Sequence, residues 1–128
     1  MIKKAKKIDK KNKYFHGELN TWIPKKQVDV VMSMEVFYYF EDPQFIISKI
    51  YDEWLKPGGQ LVIGLDFYFE NPDCHNWQEQ TGVSVMKLLK INDWIRLFKK
   101  AGFKEVNKYQ FCQSKSWKGT LVIQGSKI

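Results

Sequence analysis

Cysteine is scarce in this 128-residue chain. Cys74 and Cys112 are the only two, and their wide separation argues for reduced thiols rather than a disulfide framework. No apolar run approaches the length of a membrane span, and the Lys-rich start lacks the hydrophobic core of a secretion signal. A cytoplasmic address is the expectation. No internal repeat is present, and no Gly-x-Gly occurs anywhere. The nearest thing to a metal-ligand cluster is Asp73, Cys74 and His75, whose spacing matches no standard site, so no metal is expected. What the chain does have is apolar and aromatic bulk. Hydrophobic residues make up 44% and aromatics 16%, too much for a disordered chain and enough for the core of one domain.

The net charge of +7 is a local feature. Residues 1–13 hold seven Lys against one Asp, whereas the remainder holds 14 basic and 13 acidic side chains. The basic excess therefore belongs to one terminal helix or tail, with no RNA-binding aromatic motif or zinc-finger spacing beside it. That argues against nucleic acid.

The stretch Val28-Asp-Val-Val-Met-Ser-Met34 is a nearly continuous apolar, β-branched run. It predicts a strand covered on both faces, of the kind found inside a parallel sheet. Asp42-Pro43 then opens a helix through Phe45, Ile46, Ile50, Tyr51, Trp54 and Leu55, stopped by Lys56-Pro-Gly-Gly59. A second buried-type strand follows over Gln60–Asp66, so strand, helix and strand form a crossover unit. Tyr14-Phe15-His16 is a short strand candidate. Phe67 to Thr81 predicts a long binding or lid loop. Asn92 is expected to cap a helix ending at Ala101-Gly102-Phe103. Strands at about 105–112 and 119–125 should form an antiparallel hairpin.

The run from Val28 to Pro43 resembles the fourth-strand motif of class I S-adenosylmethionine-dependent methyltransferases. It is most similar to small-molecule enzymes such as the ubiquinone-biosynthesis O-methyltransferases. Leu55-Lys-Pro-Gly-Gly-Gln-Leu-Val-Ile63 resembles that family's helix-to-fifth-strand signature, and Ala101-Gly-Phe103 its late helix ending. The resemblance implies a partial Rossmann-like α/β fold: a mostly parallel sheet closed by a C-terminal antiparallel hairpin and lacking the first two strands. It also implies a single partial domain over residues 1–128, with 1–13 as Lys-rich helix or tail and 14–128 as sheet and helices. The family's first strand, glycine-rich loop and ribose-binding acid have no counterpart in this sequence.

By the same resemblance, S-adenosyl-L-methionine is the cofactor. Ser33, Met34 and Glu35 would line its methionine portion. Glu18 would accept from the adenine amine, with Leu19 packed on the ring. Tyr39 would offer an aromatic face to the sulfonium. Tyr38, Asp66, Tyr68 and Trp77 would hold the acceptor, and His75 could serve as base. The implied function is methyl transfer to a small-molecule acceptor. The alternative is a non-catalytic remnant of the fold serving as a binding or dimerisation module. Without the first strand, the edge of strand 28–34 is expected to be covered, by a second copy or by the N-terminal segment.

Overall fold

The computed structural model describes residues 1–128. Its frame is a four-stranded sheet in the order β1-β2-β4-β3, with β1 Val28–Met34, β2 Leu55–Leu65, β3 Lys104–Phe111 and β4 Thr120–Ser126. β1 and β2 pair in parallel, and β4 runs against both β2 and β3. Three strands share one direction, so the expected sheet with a closing hairpin forms. Because β4 inserts between β2 and β3, only one pairing is parallel.

Local chemistry sets the connections. Asp42 accepts from the Phe45 N–H at 3.2 Å and Pro43 takes the first position of α2, Pro43–Lys49. α2 widens into a π-helical turn, Ile50–Trp54, and the Lys127 ammonium donates to the Tyr51 and Leu55 carbonyls at 2.6 and 3.0 Å. β2 starts at Leu55, earlier than the expected Gln60. Gly58, at φ 86°, lets the chain bulge between the Val28–Leu55 and Val30–Gln60 pairings.

After the short helix α3, Trp77–Thr81, comes α4, Ile91–Ala101. Asn92 lies inside α4 and does not cap it. Asp93 accepts from the Lys90 N–H at 3.1 Å, and the Glu70 carboxylate accepts from the Ile91 N–H at 3.0 and 3.2 Å. At the other end Gly102, at φ 114°, allows the Phe103 N–H to reach the Phe98 carbonyl at 3.2 Å. Phe103 then folds back between Phe98 and Tyr51, with ring centroids 5.3 and 4.9 Å away.

The first helix, α1, Ile2–Ile8, buries nothing. Tyr14-Phe15-His16 is not a strand. Tyr14 is held by donating to Asp9 at 2.8 Å, and Phe15 packs on Trp22, which in turn meets Trp54 edge-on at 5.1 Å. Aromatic contacts, not ladder bonds, place this segment.

Both helices that pack on the sheet fall on one side. There Leu61, Ile63, Leu65, Leu121 and Ile123 are fully buried in a core that includes Ile47, Trp94 and Phe98. The expectation that β1 is covered on both faces is overturned. β1 is an edge strand, and Val30, Met32 and Met34 are 53%, 70% and 51% exposed. Register places Val62 beside Met32, and Tyr109 and Phe111 at the far edge of the same side. None of these side chains joins the core, and the N-terminal segment does not cover them.

Candidate functional site

The carboxyl ends of β1 and β2 lie side by side, with Met34 paired to Gly64. Just past β1 the backbone turns sharply: Glu35 takes a left-handed conformation, φ 59°, unusual for a side chain with a Cβ. Its N–H donates to the Gly64 carbonyl at 2.8 Å. The Tyr38 hydroxyl donates to Glu35 Oε2 at 2.7 Å, while Oε1 is buried and has no partner. Burial, and then the charge of Asp66, raises the Glu35 pKa above the ordinary carboxylate range. Burial together with the bond to Glu35 raises the Tyr38 hydroxyl well above that of a free tyrosine, so Tyr38 stays a donor.

Rings extend from this pair. Tyr38 meets Tyr39 at 4.5 Å and Phe67 at 5.1 Å; Phe67 stacks on Trp77 at 6.2 Å, and Trp77 on Trp117 at 6.3 Å. Tyr38 is buried, whereas Tyr39 is 43% exposed and lines a cavity of about 480 Å³ with Asn20, Phe40 and Asp42. A neighbouring cavity of about 270 Å³ is lined by Gly17, Glu18 and Leu19 and shares Asn20 and Phe40 with the first. Glu18 is exposed there and Leu19 half-buried.

The other candidates divide. Asp66 is half-buried and accepts from the Thr120 hydroxyl at 2.6 Å, which ties the tip of β2 to β4. Tyr68 is wholly enclosed. Its hydroxyl donates to the Gly119 carbonyl at 2.8 Å and accepts from Gln110 at 3.1 Å, making it a fastener between loop and hairpin rather than a surface for an acceptor. His75 is exposed, with its hydrogen bond (Nε2 to the Phe69 carbonyl, 2.6 Å) and its ring contact both directed at Phe69. The Nε2 proton must face that carbonyl, which leaves Nδ1 as the basic atom. Ser33 is half-buried. The thioether of Met34 lies across Gly64, filling the space a Cβ there would need. No three His, Cys, Asp or Glu side chains converge as a metal site.

Sequence reasoning missed Trp117, Glu70 and Asn71. Asn71 is fully buried and donates to the Asp66 carbonyl at 2.9 Å. The aromatic in the hairpin loop was a visible signal for Trp117. Nothing local marks a cap that acts across twenty residues, such as Glu70.

Residues 1–63 match the methyltransferase domain family. No curated protein matches. Among solved structures, the chain is similar to a protein of Haloferax volcanii described as a candidate methyltransferase, in complex with the Trm112 methyltransferase activator. The TM-score is 0.81 at 23% identity, covering 99% of this chain and 67% of that one. It is similar to a Thermotoga maritima S-adenosylmethionine-dependent methyltransferase described as a possible histamine N-methyltransferase, with TM-score 0.71 and 21% identity over 88% of this chain and 62% of that one. The N-methyltransferase NodS of Bradyrhizobium japonicum, solved with S-adenosylhomocysteine, gives TM-score 0.69 and 20% identity over 98% and 61%. The chain thus spans about three fifths to two thirds of these proteins.

Proposed function

Because this chain has the class I S-adenosylmethionine-dependent methyltransferase fold, and its first 63 residues match the methyltransferase domain family, we propose that residues 1–128 act as one partial cytoplasmic methyltransferase domain, transferring a methyl group to a small-molecule acceptor. The cofactor supplies an electrophilic methyl on a cationic sulfur. Ser33, Met34 and Glu35 would hold its methionine end, Tyr39 would face the sulfonium, and Glu18 with Leu19 would take the adenine.

The observation that carries this reading is Glu35 Oε1. A buried carboxylate oxygen without a donor costs free energy, and an amino or hydroxyl group of a bound cofactor would relieve it. The open ring of Tyr39, 4.5 Å from that of Tyr38, suits a cation. The ribose-binding acid and glycine-rich loop have no counterpart here, so the residues present fit one half of the group. Asp66 and Trp77 would align the acceptor, with Tyr38 acting through Glu35, and His75 Nδ1 is the available proton acceptor. Proximity and exclusion of water supply most of the rate in a displacement of this type.

Isothermal titration with S-adenosylhomocysteine tests the reading. Binding is expected, with Glu35→Gln and Glu18→Gln each weakening it. No heat at about millimolar ligand, where even weak sites register, would overturn it. The second reading, a non-catalytic binding or dimerisation module, is favoured by the unpaired edge of β1. The Haloferax relative, solved with an activator, adds a protein partner to that reading by analogy.

A further inference from the structure

The loop that joins β3 to β4 is exposed from Cys112 to Ser116 and again at Lys118, yet Trp117, its one aromatic side chain, is half-buried. Trp117 packs on Trp77, and Trp77 on the enclosed Phe67, which follows Asp66 at the tip of β2. Hydrogen bonds pin the loop on both sides of that indole. The Ser114 N–H donates to the Trp117 carbonyl at 2.9 Å, and the Trp117 N–H donates to Ser114 Oγ at 3.2 Å. Just beyond, the Lys118 and Gly119 carbonyls accept from Gln110 and Tyr68 at 3.1 and 2.8 Å, and the Thr120 hydroxyl donates to Asp66. Such fastening fixes the ring rather than merely the loop.

The tilt of the rings decides what they can hold. Phe67 and Trp77 lie 27° from parallel, and Trp77 and Trp117 24°, at centroid distances of 6.2 and 6.3 Å. That is offset stacking, which leaves part of each face open. A cage for a compact cation needs rings that meet steeply around one point. Steep contacts do occur, Trp22 on Trp54 at 72° and Phe37 on Phe40 at 85°, but outside this row. Rings tilted alike make a flat wall. Phe67 is shut in, whereas Trp77 and Trp117 are each partly exposed, so the open stretch of the wall is theirs. It is built from segments attached to β2, β3 and β4 and owes nothing to the open edge of β1. It also stands beyond the carboxyl ends of the strands, where sheets of this kind bind ligands.

We propose, resting on the methyltransferase reading, that the methyl acceptor is a flat aromatic molecule and that Trp117 joins Trp77 in holding its face. Trp117 is then a specificity-determining residue supplied by the final hairpin. The acceptor's ring lies on the two indoles, and Phe67 backs Trp77 from the core. An aliphatic acceptor of equal size would bury similar area but forgo the ring-on-ring contact, so the wall selects for planarity.

Indole N–H NMR of the intact chain tests this without any substitution, because its five tryptophans are separate reporters. 2-Naphthol, a flat two-ring probe, should move the Trp77 and Trp117 signals together and saturably, while Trp22, Trp54 and the enclosed Trp94 stay fixed. Tetramethylammonium, a compact cation, should move neither of the pair. Trp117→Leu should weaken 2-naphthol about tenfold, and Trp117→Phe, which keeps a ring, should restore most of that loss. A ring that only tied the loop down would leave the affinity alike in all three chains. Signals of Trp77 and Trp117 that stand still at about millimolar 2-naphthol would overturn the proposal. So would five signals moving alike, or tetramethylammonium moving the pair as 2-naphthol does. The titration contains no S-adenosylhomocysteine. A silent 2-naphthol titration beside heat from S-adenosylhomocysteine therefore sinks this inference alone, and the reverse result sinks the cofactor reading.

Discussion

The helix-covered and bare sides of the sheet are built from alternate residues of the same strands. Ile63 and Val62 are neighbours in β2, both apolar and β-branched. Ile63 is fully buried in the core, and Val62 is half-exposed on the side no helix reaches. The difference teaches that apolar character along a strand sets which faces can be buried, while the placement of α2 and α4 sets which one is.

The sharpest way to break the contrast is to truncate both neighbours. Ile63→Ala should destabilise by about 2–5 kcal/mol through lost burial and a cavity. Val62→Ala should cost less than about 1 kcal/mol in the monomer, since little is buried there. Urea midpoints measure both, and equal losses would mean that the bare side is covered.

Two glycines repeat the test in the opposite direction. A Cβ on Gly125 would press on Phe98 and Phe103 at 2.9 Å, beneath the helices. Gly125→Ala should therefore cost about 1–3 kcal/mol of overpacking. Gly64→Ala meets only the end of the Met34 side chain, which can swing into solvent, so it should be nearly neutral.

At the carboxyl end, where the two sides meet, Tyr38→Phe leaves a second Glu35 oxygen without a donor and should cost about 1–3 kcal/mol. Glu35 titrates above its ordinary value of 4.5 because burial, and then Asp66, disfavour its charge. The folded chain keeps this proton where the unfolded chain has lost it. The contribution of Glu35 to stability is therefore greatest below pH 4.5 and declines as pH rises through the raised folded value. Glu35→Gln should flatten that slope in urea midpoints across about pH 4 to 7. An unchanged slope would assign the dependence to another group.

The smallest effect lies outside both sides. Asp9 is held to a pKa of about 2, first by the Asn12 amide and then by the Tyr14 hydroxyl, and it raises the Tyr14 hydroxyl in return. Asp9→Asn should return Tyr14 toward ordinary tyrosine titration, read by ultraviolet absorbance, with the sheet unchanged.

The crossover from β1 to β2 was legible because Asp42-Pro43 and the glycines after Lys56 are local signals with local consequences. The final hairpin and the Gly102 ending were legible for the same reason. Both-face burial of β1 was misread because its uniformly apolar set, Val30, Met32 and Met34, is the exposed one, while Asp29, Val31 and Ser33 alternate with it, and the tertiary position of the helices decides the outcome. The α4 cap was misplaced because Glu70 acts from a distant loop. At the candidate site, Glu35 was expected to line the cofactor and Tyr38 to hold the acceptor, and the structure joins the two by a hydrogen bond. Tyr68 was misread because the distant Gly119 and Gln110 occupy its hydroxyl.

The strand order also has a consequence for folding. β4 is the last of these four strands in chain order, yet its place is between β2 and β3. Until residues 120–126 insert, β3 has no neighbour to bond and β2 lacks one flank. This sheet must therefore close by insertion of β4 rather than grow strand by strand in chain order, and one flank of β2 stays open until it does.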